Sequence, residues 1–168
     1  MEKNHVPDSF VRISLPPFIN HSFMLSLTKI FLFEMAHAID GYNGTCKDVH
    51  GHSYELHVTV CSNDKEEDYL PQPGFILDFK ELKQIVNNEI IQHTDHKLVL
   101  SKNFLVKHPG LQSENNLVIW AMEPTAENML LYFQKTLTQK LPPNIILTEL
   151  RLYETKTSFA TWKNNDLN

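Results

Sequence analysis

The chain has 168 residues, 15 Lys+Arg against 20 Asp+Glu and a formal net charge of -5. That length fits one domain with a sizeable core, so folding requires neither disulfides nor a structural metal. The acidic balance disfavours a general nucleic-acid binder, which is ordinarily basic, yet leaves room for an anionic small molecule held by local cations.

Residues 1–20 are mixed in composition, carry Pro16-Pro17 near their end and read as an N-terminal arm; residues 21–168 read as a single domain. Residues 23–37 are rich in Phe, Leu, Ile and Thr and lack Gly and Pro, which predicts a strand. Their apolar start and Ala36-His37-Ala38 imitate a secretory signal, but Lys29 and Glu34 interrupt the pattern. Asp40-Gly41-Tyr42-Asn43-Gly44 is a turn cluster. Residues 52–62 alternate, with Tyr54, Leu56, Val58 and Val60 on one parity, and complete a long hairpin. A charged, proline-bearing loop follows. Asp78, three residues before Glu81, predicts the N-cap and capping box of a helix with Phe79, Leu82, Val86 and Ile90 on one face, ending near His93-Thr94. Residues 96–100 and 117–121 read as a small strand pair around a long loop. Pro124-Thr125 opens a second helix that Pro142-Pro143 stops, and residues 145–153 and 158–162 read as closing strands. The order ββααββ predicts an α+β fold, an antiparallel sheet with helices on one face.

Cys46 and Cys61 make no disulfide framework, so a reducing, cytoplasmic setting is the default. No run of about 20 apolar residues predicts a membrane span.

Cys46-Lys47-Asp48-Val49-His50-Gly51-His52 packs a thiol and two imidazoles into one segment. In an extended chain His50 and His52 point to the same face and can reach one ion. His37 ends the preceding strand, and a hairpin brings it alongside. Three histidines with an open fourth position form a recognised catalytic zinc arrangement. A bare His-x-His pair is a weak signal, and most such pairs bind nothing. Cys46 beside Lys47, in a turn-rich flank, is a candidate base or nucleophile. Asp95-His96 pairs a carboxylate with an imidazole that it can orient, or is simply a polar helix end. Glu154, inside an apolar strand, suits bidentate capture of a guanidine-like edge, or an ordinary salt bridge.

Six segments then occur in one order. They are Phe33-Glu34-x-Ala36-His37, Cys46-x-x-x-His50-Gly51-His52, Leu77-Asp78-Phe79-x-x-Leu82-Lys83, Asp95-His96, Pro124-Thr125-Ala126-Glu127-Asn128 and Tyr153-Glu154-Thr155. Over residues 27–163 the chain resembles the 6-pyruvoyl tetrahydropterin synthase / 6-carboxytetrahydropterin synthase family. The resemblance implies a tunnelling fold, with a four-stranded antiparallel sheet and two helices per subunit. It implies trimers stacked into a homohexamer with active sites at subunit interfaces. His37, His50 and His52 match the zinc ligands, and Cys46 matches the catalytic cysteine. Asp95 and His96 match a catalytic pair contributed by a neighbouring subunit. Glu154 matches the anchor of the pterin ring, with Thr125, Ala126 and Glu127 helping to hold it. The implied substrate is 7,8-dihydroneopterin triphosphate.

The three-residue spacer between Cys46 and His50 resembles the carboxy-forming lyases of queuosine biosynthesis, which release acetaldehyde and triphosphate. The alternative is the pyruvoyl-forming branch; more distant ones are another three-histidine metalloenzyme or a pterin-binding module. Lys47 and Lys97 are candidate triphosphate contacts. Besides the N-terminal arm, which is extra, two departures from the family pattern stand out. Asp95-His96-Lys97-Leu98-Val99-Leu100-Ser101 replaces the usual Asp-His-x-x-Leu-Asn, and residues 102–116 form a longer loop.

Overall fold

The computed structural model describes residues 25–63 and 69–167; the expected arm, residues 1–20, lies outside them. Strand β1 (Ser26–His37) and strand β2 (His50–Ser62) form the predicted antiparallel hairpin. Period-two alternation sends Phe31, Phe33 and Met35 of β1 and Tyr54, Leu56, Val58 and Val60 of β2 into the core. β5 (Ile145–Thr155) pairs antiparallel with β2, and β6 (Ser158–Lys163) pairs antiparallel with β5. The β2–β5 register shifts at Thr59/Val60, which lets Leu147 and Leu150 both face inward although they lie three apart.

Helix α1 (Phe79–Val86) starts where predicted, Asp78 accepting a 2.8 Å bond from the Lys80 N–H. It continues through a π turn, Asn87–Ile91, into the short α2, Gln92–Thr94. Helix α4 (Ala126–Thr138) is capped by Thr125, whose hydroxyl accepts from the Asn128 N–H. Leu82, Val86 and Ile90 on one side, and Met129, Leu130, Phe133 and Leu137 on the other, pack against the same sheet face and build the main core.

The middle of the chain differs from expectation. Strands β3 (Lys97–Ser101) and β4 (Leu117–Trp120) do not stand apart as a separate pair. They extend the sheet in parallel beside β1, giving the order β4-β3-β1-β2-β5-β6. The reason lies in Leu98-Val99-Leu100, which is apolar on both faces and needs cover on both. Val99 joins the main core, while Leu98 and Leu100 pack with Ala38, Phe104 and Leu105 on the opposite face. Phe104 and Leu105 belong to helix α3 (Lys102–Lys107), which is followed by a 3-10 turn, Pro109–Ser113. The predicted long loop therefore contains a helix that covers β3. Among the described residues no helix is long and apolar enough to cross a membrane.

Candidate active site

The hairpin register pairs His37 with His50 and Met35 with His52. All three imidazoles consequently gather at one end of the sheet, with ligand atoms within 4.8 Å of one another. His37 Nδ1 lies 2.7 Å from the Pro124 carbonyl oxygen, and His50 Nδ1 lies 2.8 Å from that of Asp48. A carbonyl only accepts, so each Nδ1 carries the proton and donates. That leaves the two Nε2 lone pairs facing each other across 3.1 Å. Two acceptors at that distance need a cation or a shared proton between them. Nitrogens about 2.0–2.1 Å from a tetrahedral ion lie roughly 3.3 Å apart, close to the spacing seen. Burial, opposed by the Pro124 bond, holds the His37 imidazole below the ordinary histidine pKa, and its neighbouring histidines push the same way. A neutral ring is the form that ligates a metal. The donor set therefore fits a divalent ion such as zinc.

Tyr54 follows His50 and His52 on the same parity and lies beneath the cluster. Its hydroxyl donates to Glu154 Oε1 at 3.3 Å and lies 3.4 Å from His37 Nε2. Burial, together with the Glu154 charge, raises the Tyr54 pKa far above the usual phenol value, so the hydroxyl stays a neutral donor. Glu154 Oε1 is itself 3.9 Å from His37 Nε2. Cys46 sits in a 3-10 turn, Thr45–Lys47, and is half-buried. The Tyr42 ring lies close over Gly44, where a Cβ would come within 2.4 Å of it. One cavity of about 600 Å³ is lined by Cys46, His37, His50, His52, Thr125, Ala126, Glu127 and Glu154, with Tyr42 and Phe159 at its walls.

Asp95 and His96 stand elsewhere. Asp95 Oδ1 accepts from the Glu34 N–H at 2.9 Å and from His96 Nδ1 at 2.8 Å. These bonds, the Glu34 one first, hold its carboxyl below the usual range. His96 adopts φ 57°, a left-handed conformation uncommon outside glycine, pinned by its own N–H to the Glu34 carbonyl at 2.6 Å. Its side chain is 78% exposed. Together with Lys97, Glu34, Gly51, His52 and Ser53 it lines a second cavity of about 420 Å³. Within one chain the Asp95-His96 pair therefore does not share the cavity of Cys46.

Residues 26–165 match the family model described as 6-pyruvoyl tetrahydropterin synthase. The chain belongs to that family. It is 30% identical over 143 residues to a 6-carboxy-5,6,7,8-tetrahydropterin synthase of Rickettsia typhi, covering 82% of this chain and 99% of the relative. It is 28% identical over 144 residues to the enzyme of the same name from Haemophilus influenzae, covering 83% and 99%. Among solved structures, an uncharacterised protein of Wolinella succinogenes superposes with a TM-score of 0.69 at 17% identity, covering 86% of this chain and all of that one (100%). The 6-pyruvoyl tetrahydropterin synthase of Caenorhabditis elegans gives 0.60 at 19% identity, covering 84% and 96%. The tunnelling fold of this tetrahydropterin synthase family is thus present, with β3 and β4 added to its four antiparallel strands.

Two features of the synthase-like site escape the sequence motifs. Tyr54 falls within the alternating apolar set of β2, although its two-residue spacing from His52 was the signal that it shares the histidines' face. The Pro124 carbonyl, which fixes the His37 tautomer, is backbone and leaves no mark in composition. Lys97 reaches the His96 cavity, whereas Lys47 is exposed on the Cys46 turn.

Proposed function

We propose that this family member is a zinc-dependent lyase converting 7,8-dihydroneopterin triphosphate to 6-carboxy-5,6,7,8-tetrahydropterin, with release of acetaldehyde and triphosphate. The observation that carries the reading is the single cavity in which Cys46, the three-histidine cluster and Glu154 face one another. The curated relatives at 28–30% identity that bear the carboxy-forming name support the branch. On this reading residues 21–168 act as one synthase-like domain behind an arm at 1–20, in the cytoplasm.

His37 and His50 would hold zinc through Nε2 atoms whose tautomers the carbonyls of Pro124 and Asp48 favour, with His52 as the third ligand. When bound, zinc supplies a Lewis acid that acidifies the hydroxyls of the substrate side chain. Glu154 grips the amino group and ring N–H of the pterin edge as a planar bidentate pair, and Tyr54 fixes its carboxylate from below. Thr125, Ala126 and Glu127 wall the ring. Cys46, as thiolate, removes a proton from the side chain. His96, oriented by Asp95, returns or relays one. Triphosphate then leaves, and hydrolytic cleavage of the side chain, which consumes one water and leaves its oxygen in the 6-carboxyl group, yields acetaldehyde.

His96, held by Asp95, lines a cavity separate from that of Cys46 on its own chain, which supports a site completed by a neighbouring subunit in a homohexamer. Purified protein given dihydroneopterin triphosphate is expected to release acetaldehyde stoichiometrically, with the carboxy product identified by mass spectrometry. A pyruvoyl pterin as sole product would move the chain to the other branch. An active monomer in sedimentation-coupled assays would overturn the shared site.

A further inference from the structure

Helix α3 occupies the segment that departs from the family pattern, and its last residue does more than cover β3. Lys107 Nζ binds both carboxylate oxygens of Asp40, at 2.8 and 2.9 Å. Asp40 begins the turn that leads from His37 to Cys46, and its backbone N–H donates to Glu123 Oε2 at 2.8 Å. Next to it, the Ile39 N–H donates to the Cys46 carbonyl at 2.9 Å. Glu123 in turn precedes Pro124, whose carbonyl holds His37. Its own carbonyl accepts from Asn128 Nδ2 at 2.9 Å, at the start of α4. The Asp40 carboxylate is only 18% exposed, so this ion pair is shielded on one side. Phe104 and Leu105 pack on Ala38, immediately after His37. The turn carrying the thiol is thus gripped from α3 on one flank and from the lead-in to α4 on the other.

We propose that Lys107, Asp40 and Glu123 form a clamp that sets the position of Cys46 relative to the three histidines. All three are positioning residues; none of them lines the cavity of Cys46. The proposal rests on Cys46 being the base of the reaction above. Lys107 is exposed, so its replacement spares the core. The clamp fixes where the Cys46 sulfur stands, and misplacement by about 1 Å can cost on the order of 100-fold in rate.

The test compares wild type with Lys107→Ala, Asp40→Asn and Lys107→Arg in the intact, zinc-loaded protein. Hydrogen exchange of a peptide spanning residues 38–48 is expected to accelerate by about 5-fold or more in Lys107→Ala and Asp40→Asn, with β2 and α4 unchanged, as local opening requires. Alkylation of Cys46 by iodoacetamide should change by a similar factor. Turnover should fall roughly 10-fold in kcat with KM within about twofold, and Lys107→Arg should restore most of it. Unchanged exchange in both loss variants would overturn the clamp. Faster exchange with unchanged kcat would overturn its positioning role. Full turnover in Cys46→Ala would instead remove the underlying assignment of the base, a result that the exchange data cannot mimic.

Discussion

Replacing Glu154 by glutamine separates ring anchoring from chemistry. The amide keeps the side-chain volume and one carbonyl acceptor, so Tyr54 retains a partner where it now donates at 3.3 Å. The negative charge and the second acceptor disappear, and an NH₂ group then faces a pterin donor. A hydrogen bond to a charged group contributes about 1.5–3 kcal/mol. The Glu154 side chain is 29% exposed, so solvent offsets part of that loss. A cost of about 2 kcal/mol corresponds to roughly 30-fold in affinity. If Glu154 anchors the ring as proposed, it grips the ring equally before and during reaction, so the cost falls on KM, with kcat held within about threefold. Steady-state kinetics with dihydroneopterin triphosphate, paired with equilibrium binding of a pterin lacking the triphosphate, measure both terms. A KM and a pterin Kd within twofold of wild type would refute the anchor. A collapse of kcat alone would assign Glu154 to the chemistry instead.

Four further outcomes follow from the same geometry. Cys46→Ala should abolish turnover by at least about 100-fold, at the low end of general-base effects, while pterin binding stays intact; full turnover would make the thiol incidental. A chelator should lower thermal stability, because an ion bound at about 1,000 times its Kd contributes roughly 4 kcal/mol to the folded state, or about 8–16 °C in Tm for a chain of this size; an unchanged Tm by calorimetry would count against a tight site. Leu56→Ala, at a core position with 0% exposure, should cost about 2–5 kcal/mol in urea unfolding, and a loss under about 1 kcal/mol would mean that β2 is not central to the core. The Asp95 carboxyl is lowered by the Glu34 N–H and by His96. Its stabilisation is therefore present above the unfolded-state value of about 3.9 and is lost as pH falls through the lower folded value. Wild type should accordingly exceed Asp95→Asn in stability at about pH 6–7 and converge with it in strong acid, while a gap that widened in acid would contradict that sign.

The hairpin, the two capped helices and the closing strands were legible because each rests on local chemistry. Alternation marked Tyr54 to Val60, and Asp78 and Thr125 announced their helices as caps. The histidine cluster was legible for the same reason, since a period of two and one hairpin register are enough to assemble it. What stayed hidden depends on non-local pairing. Nothing in Leu98-Val99-Leu100 says which strand it will join. The choice of a parallel place beside β1 is decided by α3 covering one face and the main core covering the other.

That placement also has a consequence for the site. Because β3 runs alongside β1, the residues that lead into it, Asp95 and His96, are anchored to the backbone of Glu34. Glu34 lies one residue from Met35, the partner of His52, but alternation turns it to the opposite face. On one chain His96 and Cys46 therefore line separate cavities, and His52 borders both. A chain built this way holds both halves of the proposed chemistry rigidly without bringing them together. A second copy, supplying Asp95-His96 to the cavity of Cys46, would complete the site without deforming either strand. The exposed apolar residues Ile30 and Leu32 sit on the same face of β1 as Glu34, where such a copy would bury them.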